Sequence, residues 1–79
     1  MVAKAHLVFE GRLQAEAFIE FAQHRADRLD LELAIDAASD DAVSLVVSGQ
    51  PDLVDAFEMA CSLGPYECIV LDVLRRHAA

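Results

Sequence analysis

The stretch from Ser48 to Val73, SGQPDLVDAFEMACSLGPYECIVLDV, leaves this chain few folds to choose from. Gly49 ends an apolar strand, and Pro51-Asp52 opens a helix with Pro in the first turn, where its missing N–H costs nothing. Val54, Phe57 and Cys61 recur at spacings of three and four, so they share one face of that helix. Gly64-Pro65 closes it, because Gly takes a left-handed cap readily and Pro cannot continue a helix. An apolar strand follows at once. Strand, helix, Gly-Pro stop and strand make a βαβ unit, against which the other segments can be placed.

Ala3 to Glu10 alternates as a strand, with Ala5, Leu7 and Phe9 on one face and Lys4, His6, Val8 and Glu10 on the other; Gly11 is expected to break it. Gln14 to Leu29 reads as a helix whose buried stripe is Ala17, Phe18, Phe21, Ala22, Arg25 and Leu29, the Arg25 stem lying along its edge. Leu31 to Ala37 alternates with Leu31, Leu33 and Ile35 inward. Ser39-Asp40-Asp41 makes a short hairpin turn, and Ala42 to Ser48 is the paired strand with Val43, Leu45 and Val47 inward. The last strand spans about Glu67 to Arg75. The order is βαββαβ. Right-handed crossovers then put both helices on one face of a four-stranded antiparallel sheet, an α+β ferredoxin-like sandwich.

The last strand does not alternate. Either Cys68 and Val70 face the helices with Ile69 and Leu71 on the open sheet face, or the reverse. Both choices leave apolar side chains on both faces. With Val8 and Val46 they would give the open face an apolar streak, and such a patch on a monomer marks an interaction site.

Seventy-nine residues make one domain, 1–79, with one core. A chain of this size buries only about 60% of its unfolded surface, so self-association is a common remedy for a thin margin. The 56% hydrophobic share is high for so small a domain and suggests that something outside the chain covers one face. The net charge of −8 argues against nucleic acid or an anionic membrane as partner. An RNA-binding sheet would need stacked aromatics and basic residues on its open face, where this chain offers Val, Ser, Ala and acids. No signal-peptide pattern or membrane-spanning run is present, and the chain reads as cytoplasmic.

Cys61 and Cys68 lack metal-ligand spacing and read as two reduced core cysteines. His6, His24 and His77 fall on a strand, an outer helix face and the end of the chain, so neither a metal site nor a cofactor is expected. No Ser-His-Asp or Cys-His arrangement follows from spacing. Asp40 and Asp41 read as turn residues, not as a catalytic pair.

Three pieces resemble the acylphosphatases: Gly11-Arg12-Leu13-Gln14 followed by Phe18; the hairpin ending Val47-Ser48-Gly49; and Val54, Phe57, Gly64-Pro65, Cys68 and Val70. The resemblance runs over nearly the whole chain and implies the same sandwich. It also implies a glycine-rich loop whose backbone N–H groups wrap a phosphate at a helix N-terminus. An Arg directly after the loop Phe would clamp the phosphate, and an Asn at the end of the second strand would orient the attacking water.

This chain departs from that pattern at each point. Ile19 follows Phe18, and the Asn position falls at or near Ala37 in a chain that has no Asn. Ala15 and Ala17 stand at the loop glycines, and Glu16 puts a negative charge where the phosphate would sit. Gly11, Arg12, Gln14, Phe18 and Ile19 are then a vestigial anion loop. The resemblance implies a further C-terminal strand too, without which one sheet edge is bare, and bare edges invite pairing. Glu32 and Asp36 would discourage random pairing there.

The reading is a non-catalytic interaction domain. It would act as a homodimer or accessory subunit through the open sheet face or edge, with Val8, Val46, Ile69 and Leu71 as the expected interface. The alternatives are a weak acyl phosphate hydrolase or anion-binding sensor, and an acidic nucleic-acid mimic that blocks a basic partner protein.

Overall fold

The computed structural model describes residues 2–77. Its elements are β1 (Ala3–Arg12), α1 (Ala15–Arg28), β2 (Glu32–Ala38), β3 (Ala42–Gly49), α2 (Pro51–Leu63) and β4 (Ile69–His77). The strands form one antiparallel sheet in the order β2-β3-β1-β4, so β1 is central and β2 and β4 are the edges. This is the expected βαββαβ sandwich, both helices packed on one face of the sheet. No described helix is long and apolar enough to cross a membrane.

The period-two pattern of β1 and β3 decides what lies between the layers. Ala5, Leu7 and Phe9 meet Val47, Leu45 and Val43 across the ladder, and all six are buried. The helices close over them. Phe18, Ala22 and Ala26 come from α1, and Val54, Phe57 and Cys61 from α2. Phe9 and Phe18 meet with ring centroids 5.1 Å apart in a tilted pair. Ala26 belongs to the α1 stripe and Arg25 lies at its margin, half-buried, with its guanidinium 5.4 Å from the Phe21 ring centroid. The Gly64 stop holds, with φ 68 and its N–H on the Ala60 carbonyl at 3.3 Å.

The bounds of β1 and β4 differ from expectation by two residues, those of α1, β2 and β3 by one. Gly11 does not end β1; the strand runs on to Arg12. Glu10 pairs with Asp72 but Gly11 pairs with Val70, so Leu71 is an extra residue and β4 bulges there. Gly11 permits the approach. A Cβ on it would collide with the Ile69 carbonyl oxygen and lie 2.9 Å from the Leu71 nitrogen. β4 itself begins two residues later than expected and reaches His77.

The bulge also settles the facing of β4. Directly paired residues share a face, so Val70, Val73 and Arg75 stand on the helix side opposite Gly11, Phe9 and Leu7. Arg75 reaches over the edge to α2, with Nη1 2.8 Å from Asp55 Oδ1 and 2.9 Å from Glu58 Oε1. The bond to Asp55, then that to Glu58, raises its pKa above an already high value. Ile69, Asp72, Leu74 and Arg76 stand on the open side. Without the bulge, alternation from Cys68 would have put Asp72 under the helices. One inserted residue spares the core a buried carboxylate.

Cys61 is fully buried beneath α2, and burial pushes its thiol up to about 12, the charge of Arg25 offsetting a little of this. In the unfolded chain the same thiol ionises near about 8.5. Between those values the unfolded chain binds fewer protons than the native one, so stability falls as pH rises. The Cys61 contribution is complete below about pH 8.5 and is lost progressively toward pH 12. Urea midpoints measured from pH 8 upward should fall more steeply for the wild type than for Cys61→Ala. Parallel curves would show that this thiol does not couple to folding.

Candidate functional site

The segment between β1 and α1, where the resemblance places phosphate binding, lies against the β2–β3 hairpin. Backbone ties hold it there. Gly11 N–H donates to the Asp41 carbonyl at 3.0 Å and Leu13 N–H to the Asp40 carbonyl at 2.8 Å. Gln14 N–H points at Cys68 Sγ, 3.3 Å away, and Ala15 N–H donates to Asp40 Oδ1 at 3.1 Å. The hairpin turn is set in its own right by Ser39, whose Oγ accepts from the N–H groups of Asp41 and Ala42, both at 3.2 Å.

The Asp40 carboxylate therefore occupies the start of α1. Gln14 is the N-cap residue, but its side chain makes no capping bond, and Ala15 is the first helical residue. A carboxylate at that amide satisfies an orphan donor and complements the positive end of the helix dipole, as Glu16 in the first turn also does. Asp40 was expected only as a turn residue. Its second role needs contact between residues 25 apart, which no local pattern encodes.

The other loop residues are placed as follows. Arg12 and Gln14 are exposed, and the Arg12 side chain makes no hydrogen bond or ion pair among the described residues. Phe18 is buried against Phe9, and its N–H closes the first helical turn on the Gln14 carbonyl at 2.9 Å. Ile19 is half-buried on α1 and brings no charge to the site. Ala37 is exposed beside the β2 bulge, opposite Ser44, and offers no polar side chain. Gly11 shows a structural reason for its presence, the close approach to β4.

On the open sheet face the structure gathers a polar cluster that spacing did not reveal. His6 Nε2 lies 2.7 Å from Ser44 Oγ, Ser44 Oγ donates to Asp36 Oδ2 at 3.3 Å, and His6 Nε2 is 3.9 Å from Asp36 Oδ2. The outward facing of all three could be read from alternation. Their meeting required the strand order β2-β3-β1 and its registers. The Ser44 hydroxyl lies between the imidazole and the carboxylate and links them. The cluster is a polar bridge across three strands.

That cluster divides the expected apolar streak. Val8 is flanked by Ser44 and Leu74, and Val46 by His6 and Ala34. Ile69 and Leu71, 57% and 74% exposed, lie beyond the Glu10–Asp72 row at the far end of β4. Among the described residues no group of three or more His, Cys, Asp or Glu side chains could hold a metal ion. The His77 side chain lies outside the described residues.

No family model matches the chain, and no curated protein does. Solved structures do. An acylphosphatase from Coxiella burnetii superposes with a TM-score of 0.89 at 23% identity, covering 99% of this chain and 82% of that one. The acylphosphatase from Bacillus subtilis gives 0.87 at 23% identity, covering 99% and 86%. Full-length HypF, in its phosphate- and nucleotide-bound form, gives 0.84 at 15% identity over 99% of this chain but 10% of its own length. At such identities the likeness is one of fold. The chain has the fold of the acylphosphatases.

Proposed function

We propose that this domain is a non-catalytic acylphosphatase-like module that acts through protein–protein contact, as a homodimer or as an accessory subunit. The observation that carries the reading is the state of the anion loop. Asp40 supplies a carboxylate to the first amide of α1, and Asp41, Asp40 and Cys68 accept from the N–H groups of Gly11, Leu13 and Gln14. A phosphate entering there would have to displace a like charge and would meet Glu16 as well.

The side chains support the same conclusion. Phosphoryl and acyl phosphate chemistry rests on positioning and charge stabilisation, and removing one such donor costs about 10²–10³ in rate. Ile19 and Ala37 stand where the resemblance calls for the Arg and the Asn. Arg12 is left as the nearest free cation, and it is exposed. The acids lie on both helices, on the sheet and in the loops, so no single face carries them, which argues against nucleic-acid mimicry.

The wild-type chain should hydrolyse benzoyl phosphate no faster than buffer. Turnover that is lost in Arg12→Ala would mean that Arg12 has taken over the clamp, and the weak-hydrolase reading would replace this one. Asp40→Ala should lower stability by about 0.5–1 kcal/mol, because the Ala15 amide loses its acceptor. Urea unfolding with an unchanged slope and a lower midpoint is the expected readout. An unchanged midpoint would show that the Asp40 carboxylate does not hold the helix start.

A further inference from the structure

We propose that the partner at the sheet edge is a second copy of this chain, pairing β4 with β4 antiparallel about a two-fold axis at Leu74. This names the partner within the interaction reading above and rests on it.

The free edge of β4 presents a defined set of backbone groups. Gly11 and Leu13 send their N–H groups toward the β2–β3 hairpin, so odd-numbered residues of β1 bond toward β3 and even-numbered ones toward β4. The partners of His6, Val8 and Glu10 are Arg76, Leu74 and Asp72, which leaves Val73 and Arg75 directed outward. The Val73 N–H accordingly finds no strand. It donates instead to Asp72 Oδ1 of its own chain at 2.9 Å. A pairing strand would supply a carbonyl in place of that stand-in.

Charge fixes the partner and the register. On the open side this edge reads Asp72, Leu74, Arg76. Laid antiparallel on itself about Leu74, it sets Asp72 against the second copy's Arg76, twice, and Leu74 against Leu74. In the same register the outward groups of Val73 face those of Arg75. A shift of one step in either direction places Asp72 on Leu74, or Leu74 on Arg76, and loses both ion pairs.

The opposite edge lacks this property. β2 presents Glu32 and Ala34 with Asp36 in its bulge, so self-pairing there would bring acids together. Exposed apolar residues also gather in the part of the chain that runs from the end of α2 into β4. Of the seven large hydrophobic residues exposed among the described residues, six fall between Met59 and Leu74. Met59 lies beside Asp55, Glu58 and Arg75 above this edge, where α2 of each copy would flank the axis. A two-fold pairing closes, whereas β2 on β4 would propagate as an open chain.

The test uses the full chain, light scattering across protein concentration, and exposed substitutions whose folding is checked by circular dichroism. The expected wild-type mass is twice the 8.6 kDa of one chain at high concentration. Asp72→Arg and Arg76→Asp should each shift the mass toward 8.6 kDa, and the double variant should recover the dimer because both pairs are reversed together. A dimer indifferent to all three variants would overturn this edge while leaving the interaction reading intact. Mass that grows beyond the dimer would put β2 on β4 and overturn the two-fold. A monomer at every concentration would remove the self-pairing and leave only a foreign partner for the interaction reading.

Discussion

The domain depends on β1. It is the central strand, paired to β3 on one side and β4 on the other, and its inward residues Ala5, Leu7 and Phe9 form the middle of the core. Each of these side chains touches a buried partner from β3 on the same face, and the helices complete the enclosure. A one-residue slip of β1 would place Lys4, His6 and Glu10 under the helices, so a single register is enforced by charge as well as by packing. Burying an unpaired charge costs far more than the differences between alternative hydrophobic contacts.

The end of β1 carries the constraint into the candidate site. Gly11 lets β1 approach the backbone of β4 where Leu71 bulges out, and the same residue sends its N–H to the β2–β3 hairpin. Those two attachments position the segment that leads into α1. The hairpin then contributes Asp40, whose backbone and side chain bind successive parts of that segment. A loop able to wrap a phosphate would have its N–H groups free to converge on the anion. Here the N–H groups of Gly11, Leu13, Gln14 and Ala15 are held by acceptors of the chain itself. The hydrogen bonds that fix this segment are the ones on which the proposed loss of phosphate binding rests.

Much of this fold is legible from local pattern. The alternation of β1, β2 and β3, the Pro51 start and Gly64 stop of α2, and the Phe18-Ala22 stripe of α1 are all properties of adjacent residues. The facing of β4 was not legible, because a bulge at Leu71 switches the parity midway and lets Val70 and Val73 face the same way. Gly11 misled for a related reason: a glycine in a strand can mark a break or a close approach, and only the neighbouring strand distinguishes them. Of the candidate site, Ile19 and Ala37, at or near the positions where the resemblance calls for an Arg and an Asn, were visible in the sequence. The Asp40 carboxylate at the Ala15 amide and the His6–Ser44–Asp36 bridge were not, since each joins residues far apart in sequence through tertiary register.

The central claim is that this segment, with the amides of Gly11, Leu13, Gln14 and Ala15 taken by the chain itself and carboxylates at Asp40 and Glu16, does not bind phosphate. It is tested most directly by titrating inorganic phosphate into the isotopically labelled protein and following the amide resonances of Gly11 through Phe18. The account predicts that these resonances stay in place while phosphate rises to tens of millimolar, at constant ionic strength. Saturable shifts at any of the amides from Gly11 to Phe18 would contradict it, and a shift at Ala15 would mean that phosphate displaces the Asp40 carboxylate from the start of α1.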